Sequence, residues 1–438
     1  MRQPLMSQTV TASFSTEAFE AFLSARREPD WLVERRRQAW DAFNQMSLPS
    51  RREEEWMRTD IRLFHFEKFG MPVPPPAGAA PPPALLTHGV ELAGRLVSLN
   101  SHTVTSELGA ELSRRGVVFG SLEAATTTHS ELLRRNLFRA VDPIVDKFAA
   151  LHAAVWSGGT FLYVPKGVKV ELPLHAIAAL TGGSTDLEHT LVILEEGSEA
   201  TLLSETAGDN AAALHCGAIE LLVGPGARLR YVNLQNWGTG TWHFAHQKAL
   251  VDRDARLQWT IGALGSRLAK VNQHVSLVGT RAAAQVNGVM FTEGRQHLSY
   301  HTLQHHRAEN CQSDLLYKGA LQDESRLVWR GMIKVDPAAQ KTDGYQRNDN
   351  LMLSEAARAD SIPGLEIEAD DVRCTHGSTA GRVDDSQIFY ARCRGLTRKE
   401  AIRMIVAGFF QQVFDRIPIE SVREALGEAI GRRIREYE

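Results

Sequence analysis

From about Gly159 to about Leu353, short runs of Val, Ile, Leu, Thr and Tyr alternate with polar residues, and turn residues recur between the runs. Successive side chains of a strand face opposite sides, so this pattern predicts strands rather than helices. The turns repeat loosely. Glu196-Gly197-Ser198-Glu199-Ala200, Pro225-Gly226-Ala227-Arg228-Leu229 and Arg253-Asp254-Ala255-Arg256-Leu257 lie 28 to 29 residues apart. Gly279-Thr280-Arg281-Ala282 continues at a similar step, and Glu324-Ser325-Arg326-Leu327 has the same character. A repeat of this length suggests a solenoid in which each coil buries its face on the next. The expectation is a mainly β core, a parallel β-helix over residues 151–378, favoured over a long sandwich of hairpins.

Both flanks read as helix. Ser15 can cap a helix carrying Phe19, Phe22 and Leu23, and Trp31, Leu32, Arg35, Ala39, Trp40 and Phe43 follow at helical spacing before Pro49. Leu132–Ala140 and Asp146–Trp156 also look helical. Residues 71–84 are half proline, which favours an extended linker or surface loop. Residues 1–150 are therefore expected as a mainly helical N-terminal domain containing that linker. In the C-terminal region, 379–438, Thr397-x-x-Glu400 is a capping box. Ile402, Ile405, Val406, Phe409, Phe410 and Val413 then form one apolar stripe, and Pro418 ends the helix. A second helix is expected from about Glu420 to Arg435.

Charge narrows the function classes. Of 438 residues, 23% are charged and the net charge is −3, which argues against nucleic-acid binding through bulk charge. The basic clusters Arg35-Arg36-Arg37, Arg51-Arg52, Arg114-Arg115 and Arg432-Arg433 read as solvated helix faces. No run approaches the ~18 apolar residues of a membrane span. Met1–Ser15 has no apolar core of a secretory signal, and the four cysteines show no CxxC spacing. They read as reduced thiols in a cytoplasmic protein.

Nucleotide and hydrolase motifs are missing: the sequence has no Walker loop, no dinucleotide fingerprint, no GxSxG and no HExxH. Sixteen histidines cluster instead. His297, His301 and His305 share strand parity beside His306, and His243 pairs with His246. Most are expected to be solvated or hydrogen-bonded residues. Cys216 and Cys311 read as buried inert thiols; Cys393 lies between Arg392 and Arg394. The most informative stretch is Cys374-Thr375-His376-Gly377-Ser378-Thr379. In a strand it sets a thiol and an imidazole on one side, roughly 7 Å apart. That donor pair suits iron, zinc or copper, although two ligands do not close a site. A second reading is a metal-dependent enzyme on a β scaffold using His301, His305, His376 and Cys374, for which the spacing shows no converging set.

The region from about Gly288 to Phe414 resembles the SufB/SufD family, the β-helical subunits of the SUF iron–sulfur cluster assembly machine. The resemblance rests on Gln296-His297-Leu298-Ser299-Tyr300-His301-Thr302, Ser313-Asp314-Leu315-Leu316-Tyr317-Lys318-Gly319, Trp329-Arg330-Gly331, Asp343-Gly344-Tyr345-Gln346 and Pro363-x-Leu365-Glu366-Ile367. Cys374-Thr375-His376-Gly377, Gln387-Ile388-Phe389-Tyr390, Arg394-Gly395-Leu396 and the N-terminal Glu55-Trp56-x-Arg58-Thr59-Asp60 extend it. Asn348 stands where SufB-type chains carry a cysteine that anchors the nascent cluster, and Gly377 follows His376 where they carry a glutamate. Both departures make the chain most like SufD.

The resemblance implies a scaffold subunit rather than an enzyme. It would pair with a SufB-like paralogue through edge strands, or with a second copy when alone. Its C-terminal domain would dock a SufC-like ATPase, with Ile405, Phe409 and Phe410 in or near that contact. His376 would act in iron capture, with Cys374 beside it, and the cofactor would be a transient iron–sulfur cluster shared with the paralogue. Some such complexes bind reduced flavin; no residue here identifies a flavin site.

Overall fold

Arg228, Arg256, Ala283, Gln312, Asp343 and Arg373 stand in register on six neighbouring parallel strands, so one turn of chain consumes 27 to 31 residues. The computed structural model describes residues 13–75, 78–87 and 89–434. Its core is a parallel β-solenoid of about eight turns. Two large sheets face each other, and the chain passes from one to the other at every half-turn.

The loose repeat has a backbone cause. Gly226, Asp254, Arg281, Asn310 and Lys341 mark the corners of successive turns, and all have φ between 58° and 65°. This left-handed conformation suits Gly and tolerates Asn or Asp, so the corner keeps one geometry while its residue varies.

Inward positions stack like on like. Leu229 lies on Leu257, and Tyr231 on Trp259. With Leu298, Tyr300, Tyr317 and Trp329 they fill the centre of the solenoid. Each coil alone would leave these faces in water, and stacking removes them.

The sheets start before the boundary expected at 150. Strand Gly94–Leu99 pairs in parallel with Leu174–Leu180, and Val118–Ser121 pairs antiparallel with Thr160–Val164. Helices between these strands, including Ser130–Asn136 and Lys147–Val155, mask the start of the β region in the sequence. The final strand runs Val372–Arg382, past 378.

The N-terminal helices Thr16–Ser24 and Asp30–Gln45 form as expected, and the Ser15 hydroxyl accepts from Ala18 N at 3.2 Å. They pack an aromatic cluster onto the second sheet, where the Phe148 and Phe244 rings stack with centroids 3.8 Å apart. Two basic clusters differ from their reading as solvated faces: Arg433 is half-buried and donates to Asn236 Oδ1 at 2.6 Å, and Arg36 differs more. Arg36 is fully buried, binds Glu28 through Nε and Nη2 at 2.6 and 2.8 Å, and donates to the Ala154 carbonyl. Met1–Ala12, read for a signal, lies outside the described residues, as do residues 76, 77 and 88 in and after the proline-rich stretch. That stretch ends where the Leu85 and Leu86 amides donate to Glu205.

At the other flank, Arg398–Phe414 begins with the expected capping box, in which Glu400 N donates to Thr397 Oγ1 and Thr397 N to Glu400 Oε2. It packs with Glu420–Arg433 against the outer face of the first sheet, on Val232, Leu234, Val289, Phe291 and Leu316. Among the described residues no helix is long and apolar enough to cross a membrane.

Candidate functional site

The last turn of the solenoid consists of strands Arg358–Ile367 and Val372–Arg382. Each pairs on one side only, with Arg326–Val335 and Thr342–Met352 respectively. Their outer backbone edges are open, and most of their side chains are half-buried or exposed. Leu365 and Ile367 are among the exposed large apolar residues. Pro363 lacks the N–H that a strand paired on both sides uses, which an edge strand tolerates.

Register places the Cys-x-His pair on this open turn. Cys374 lies over Gly344, His376 over Gln346 and Ser378 over Asn348. All three face the solenoid axis, continuing the stacked columns below them. Gly344 makes room for the thiol: a Cβ there would lie 3.2 Å from Cys374 Sγ. Cys374 is half-buried against Ile333, Val335, Ala339 and Val372, and burial raises its thiol above the ordinary range. It is a protonated donor that would release its proton on binding a metal.

His376 is exposed and has no hydrogen-bond partner among the described residues. Beneath it, Gln346 is fully buried. Gln346 Nε2 donates to the Gly364 carbonyl at 3.0 Å, and its Oε1 has no partner. An orphaned buried acceptor under an unpartnered imidazole leaves unused hydrogen-bonding capacity at this end. Ser378 Oγ donates to Ser361 Oγ at 2.7 Å and ties the two edge strands together. Asn348 is fully buried, with Nδ2 donating to the Tyr317 carbonyl and Oδ1 accepting from Asn350.

Most of the clustered histidines are absorbed by the fold, while buried His297 Nε2 and His243 Nδ1 have no partner among the described residues. His301 Nδ1 lies 2.8 Å from Glu55 Oε2, His305 Nε2 is 2.8 Å from Asp336, and His306 Nε2 is 2.7 Å from Ser313 Oγ. The hydrogen bond from His301 is the first cause that holds Glu55 down to about 2. Buried pairs His175–Glu205, His189–Glu220 and His215–Asp186 lie in the first turns. Glu220 also accepts from the amides of Phe138, Ala140 and Val141, so this carboxylate fastens a loop onto the solenoid. Cys216 and Cys311 are buried and donate to backbone carbonyls, while Cys393 is exposed. Among the described residues no three His, Cys, Asp or Glu side chains converge on a metal position. The set His301, His305, His376 and Cys374 is therefore not brought together.

The docking residues read from the apolar stripe divide. Phe410 is 1% exposed and belongs to the chain's own core under the helix, because its side of the stripe faces the sheet. Ile405 and Phe409 are half-buried, and the Phe409 carbonyl accepts from Lys318 Nζ at 2.9 Å. The exposed apolar surface lies beside them: Phe389 and Tyr390 on Asp385–Cys393 and Met404 on the next helix are 70%, 62% and 55% exposed. A shallow groove between the helices is lined by Tyr390, Met404 and Ile405. The apolar stripe does not reach Phe389 and Tyr390 because they precede the capping box, although they fall within the motif Gln387-Ile388-Phe389-Tyr390.

Comparison with known proteins agrees with this architecture. The family model described as the SufBD core domain of SUF-system FeS cluster assembly matches residues 177–409, and that of the SufBD N-terminal region matches 19–176. An iron–sulfur cluster assembly SufBD family protein of Staphylococcus epidermidis is 28% identical over 421 residues, 90% of this chain and 88% of the relative. The Bacillus subtilis protein named iron–sulfur cluster assembly protein SufB is 26% identical over 432 residues, covering 92% and 90%.

Proposed function

This chain belongs to the SufB/SufD family of iron–sulfur cluster assembly proteins, and from that premise we propose that it is the SufD-like member of a heteromeric scaffold. The observation that carries the reading is the bare last turn, where two strands, each paired on one side only, present an unpartnered His376 beside Cys374. An exposed strand edge is a template for another chain. Val372–Arg382 is the strand suited to backbone pairing, since it contains no proline. A SufB-like paralogue added there would set its own ligands against His376. Two donors here and two from the partner would complete a four-donor set for iron or a nascent cluster, which accept mixed thiolate and imidazole ligation.

Asn348 supports the division of labour. It occupies an inward, fully buried position and is committed to hydrogen bonds. It offers no thiolate, so the anchoring sulfur would come from the partner. Phe389, Tyr390 and Met404, with Ile405 at their margin, form the surface offered to a SufC-like ATPase. Their apolar area is mostly exposed, with Tyr390 engaged through its hydroxyl and ring by Arg394, as expected of a docking face.

The test is iron and sulfide content of the complex co-expressed with its SufB-like and SufC-like partners and purified without oxygen. His376→Ala is expected to leave assembly intact and lower bound iron at least twofold. Unchanged iron would make His376 an architectural residue and remove the capture role. Tyr390→Glu is expected to release the ATPase while the paralogue stays bound.

A further inference from the structure

A concavity of about 1010 Å³ crosses several turns of the solenoid and reaches the open turn at one end, where Arg373 lines it. It runs along the outer face of the first sheet near the starts of its strands, beyond the area covered by the C-terminal helices. Arg228, Arg230, Arg256, Arg281 and Arg373 line it, with Asp314 and Asp343. Most of these charges are already matched. Asp314 takes Arg416 at 2.9 Å, Asp343 takes Arg373, and Arg281 grips Asp254 through Nε and Nη2 at 2.6 and 2.7 Å. Arg230 stands 3.8 Å from Glu199.

Arg228 and Arg256 remain, and neither side chain has a hydrogen bond or ion pair among the described residues. They are direct register partners on adjacent parallel strands. Neighbouring strands lie about 4.8 Å apart, and like charges placed opposite each other cost stability. On the far side of Arg228 the column holds Glu199, whose nearest cation is Arg230, and beyond Arg256 it holds Ala283 and Gln312, so the positive charge is local to two turns rather than a property of the ladder. In a chain of net charge −3, the strands set two arginines without an ion pair at directly opposed positions along one groove. Paired guanidinium forks match the oxygens of a tetrahedral oxyanion. Gln285, Gln312 and Asn310 supply further hydrogen-bonding groups along the floor.

We propose that Arg228 and Arg256, with Arg230 beside them, form an oxyanion site that takes a phosphate-type ligand, free or carried by a nucleotide. Arg256 lies four strands from the edge strand of the open turn, and all the residues of the site belong to this chain, so the site is tested on the isolated full chain. Isothermal titration calorimetry at low ionic strength would use sodium diphosphate, inorganic phosphate, ADP without magnesium and a poly-glutamate decapeptide.

Saturable one-to-one binding of diphosphate is expected, weakened at least tenfold by the double substitution Arg228→Gln/Arg256→Gln. Arg373→Gln, at the far end of the groove, is expected to leave it unchanged. Tighter binding of ADP than of diphosphate would identify a nucleotide as the source of the phosphate; equal or weaker binding would identify a free anion. Both arginines are exposed, so the fold should persist, and a far-ultraviolet dichroism spectrum checks it. Arg256→Gln alone, expected to weaken binding at least threefold, serves if the double variant is unfolded. No saturable signal up to ~10 mM diphosphate, equal affinity in the variants, or preference for the acidic peptide would each overturn the proposal.

Discussion

Strands His102–Leu108 and Val372–Arg382 occupy the two edges of the same ten-stranded sheet, yet they treat that position in opposite ways. The first is seven residues long, runs antiparallel to its neighbour, and returns through Asn100-Ser101, whose φ values are 52° and 64°. Its register slips between Val97 and Ser98. A short, turned-back strand with a bulge is how proteins blunt an edge. The last strand is eleven residues long, parallel to its neighbour and in unbroken register. Burial follows the same division. Toward the first edge, the buried Glu205 carboxylate binds His175 and the amides of Leu85 and Leu86; at the last, side chains face solvent. Stability is concentrated where the chain is stoppered, and unused bonding capacity where it is not.

The largest expected effect breaks the closed end. Glu220→Ala would strand three backbone amides and His189 in a buried setting. The expected loss is about 3–5 kcal/mol, read as a lower urea midpoint. A shift under about 1 kcal/mol would mean that water replaces the carboxylate and that the stopper is not cooperative.

Acid tests whether the whole stack shares this vulnerability. Burial holds His274 down to about 3, and His297 and His306 to about 4. Their folded values lie below the unfolded one, so the unfolded chain takes up protons first as pH falls. Their stability contribution is intact above about 6.5 and declines between there and about 4, by up to about 1.4 kcal/mol per pH unit for each histidine. Denaturation at pH 7, 6 and 5 measures the slope; a flat profile over that range would contradict it.

At the open end, substitutions should change assembly and not folding. A methyl group added at Gly377 would meet only ordinary contacts, 3.8 Å to Arg347 and 3.9 Å to Tyr345. Gly377→Lys therefore fits, and it blunts the edge by charge. Paralogue affinity is expected to fall about tenfold, or about 1.4 kcal/mol, with an unchanged melting temperature. The smallest effect belongs to Arg373→Ala, which removes a solvent-exposed pair with Asp343; its urea midpoint should match the parent.

Much of this contrast was legible in the sequence, and some was not. The repeated corner Pro225-Gly226-Ala227 and Asp252-Arg253-Asp254 reports a left-handed residue at fixed intervals, so the solenoid could be read. Parity placed Cys374 and His376 on one face. The buried state of Arg36 could not be read, because the Ala154 carbonyl it binds is 118 residues away. The same holds for Glu220, whose partners lie 79 to 82 residues upstream. Phe410 and Phe409 are adjacent in one stripe, and only the position of the underlying sheet decides which is core. The open last turn is a property of where stacking stops, which no local pattern encodes.

The final strand ends at Arg382, and the helix bearing Phe389 and Tyr390 begins at Asp385. Val383 and Asp384 are the whole covalent link between them, and the Asp384 side chain already caps the helix by accepting from Ser386 N. So short a link has almost no slack. A pull on that helix would arrive at the strand of His376 as tension along its backbone within two residues, whereas the neighbouring helix is riveted to the sheet through Lys318 and Arg416. The helix bearing Phe389 is also held by Ile388 and Ala391, buried in the cluster that covers the first sheet, so a load on its exposed face would be shared between that packing and the turn that the stacking leaves unfinished.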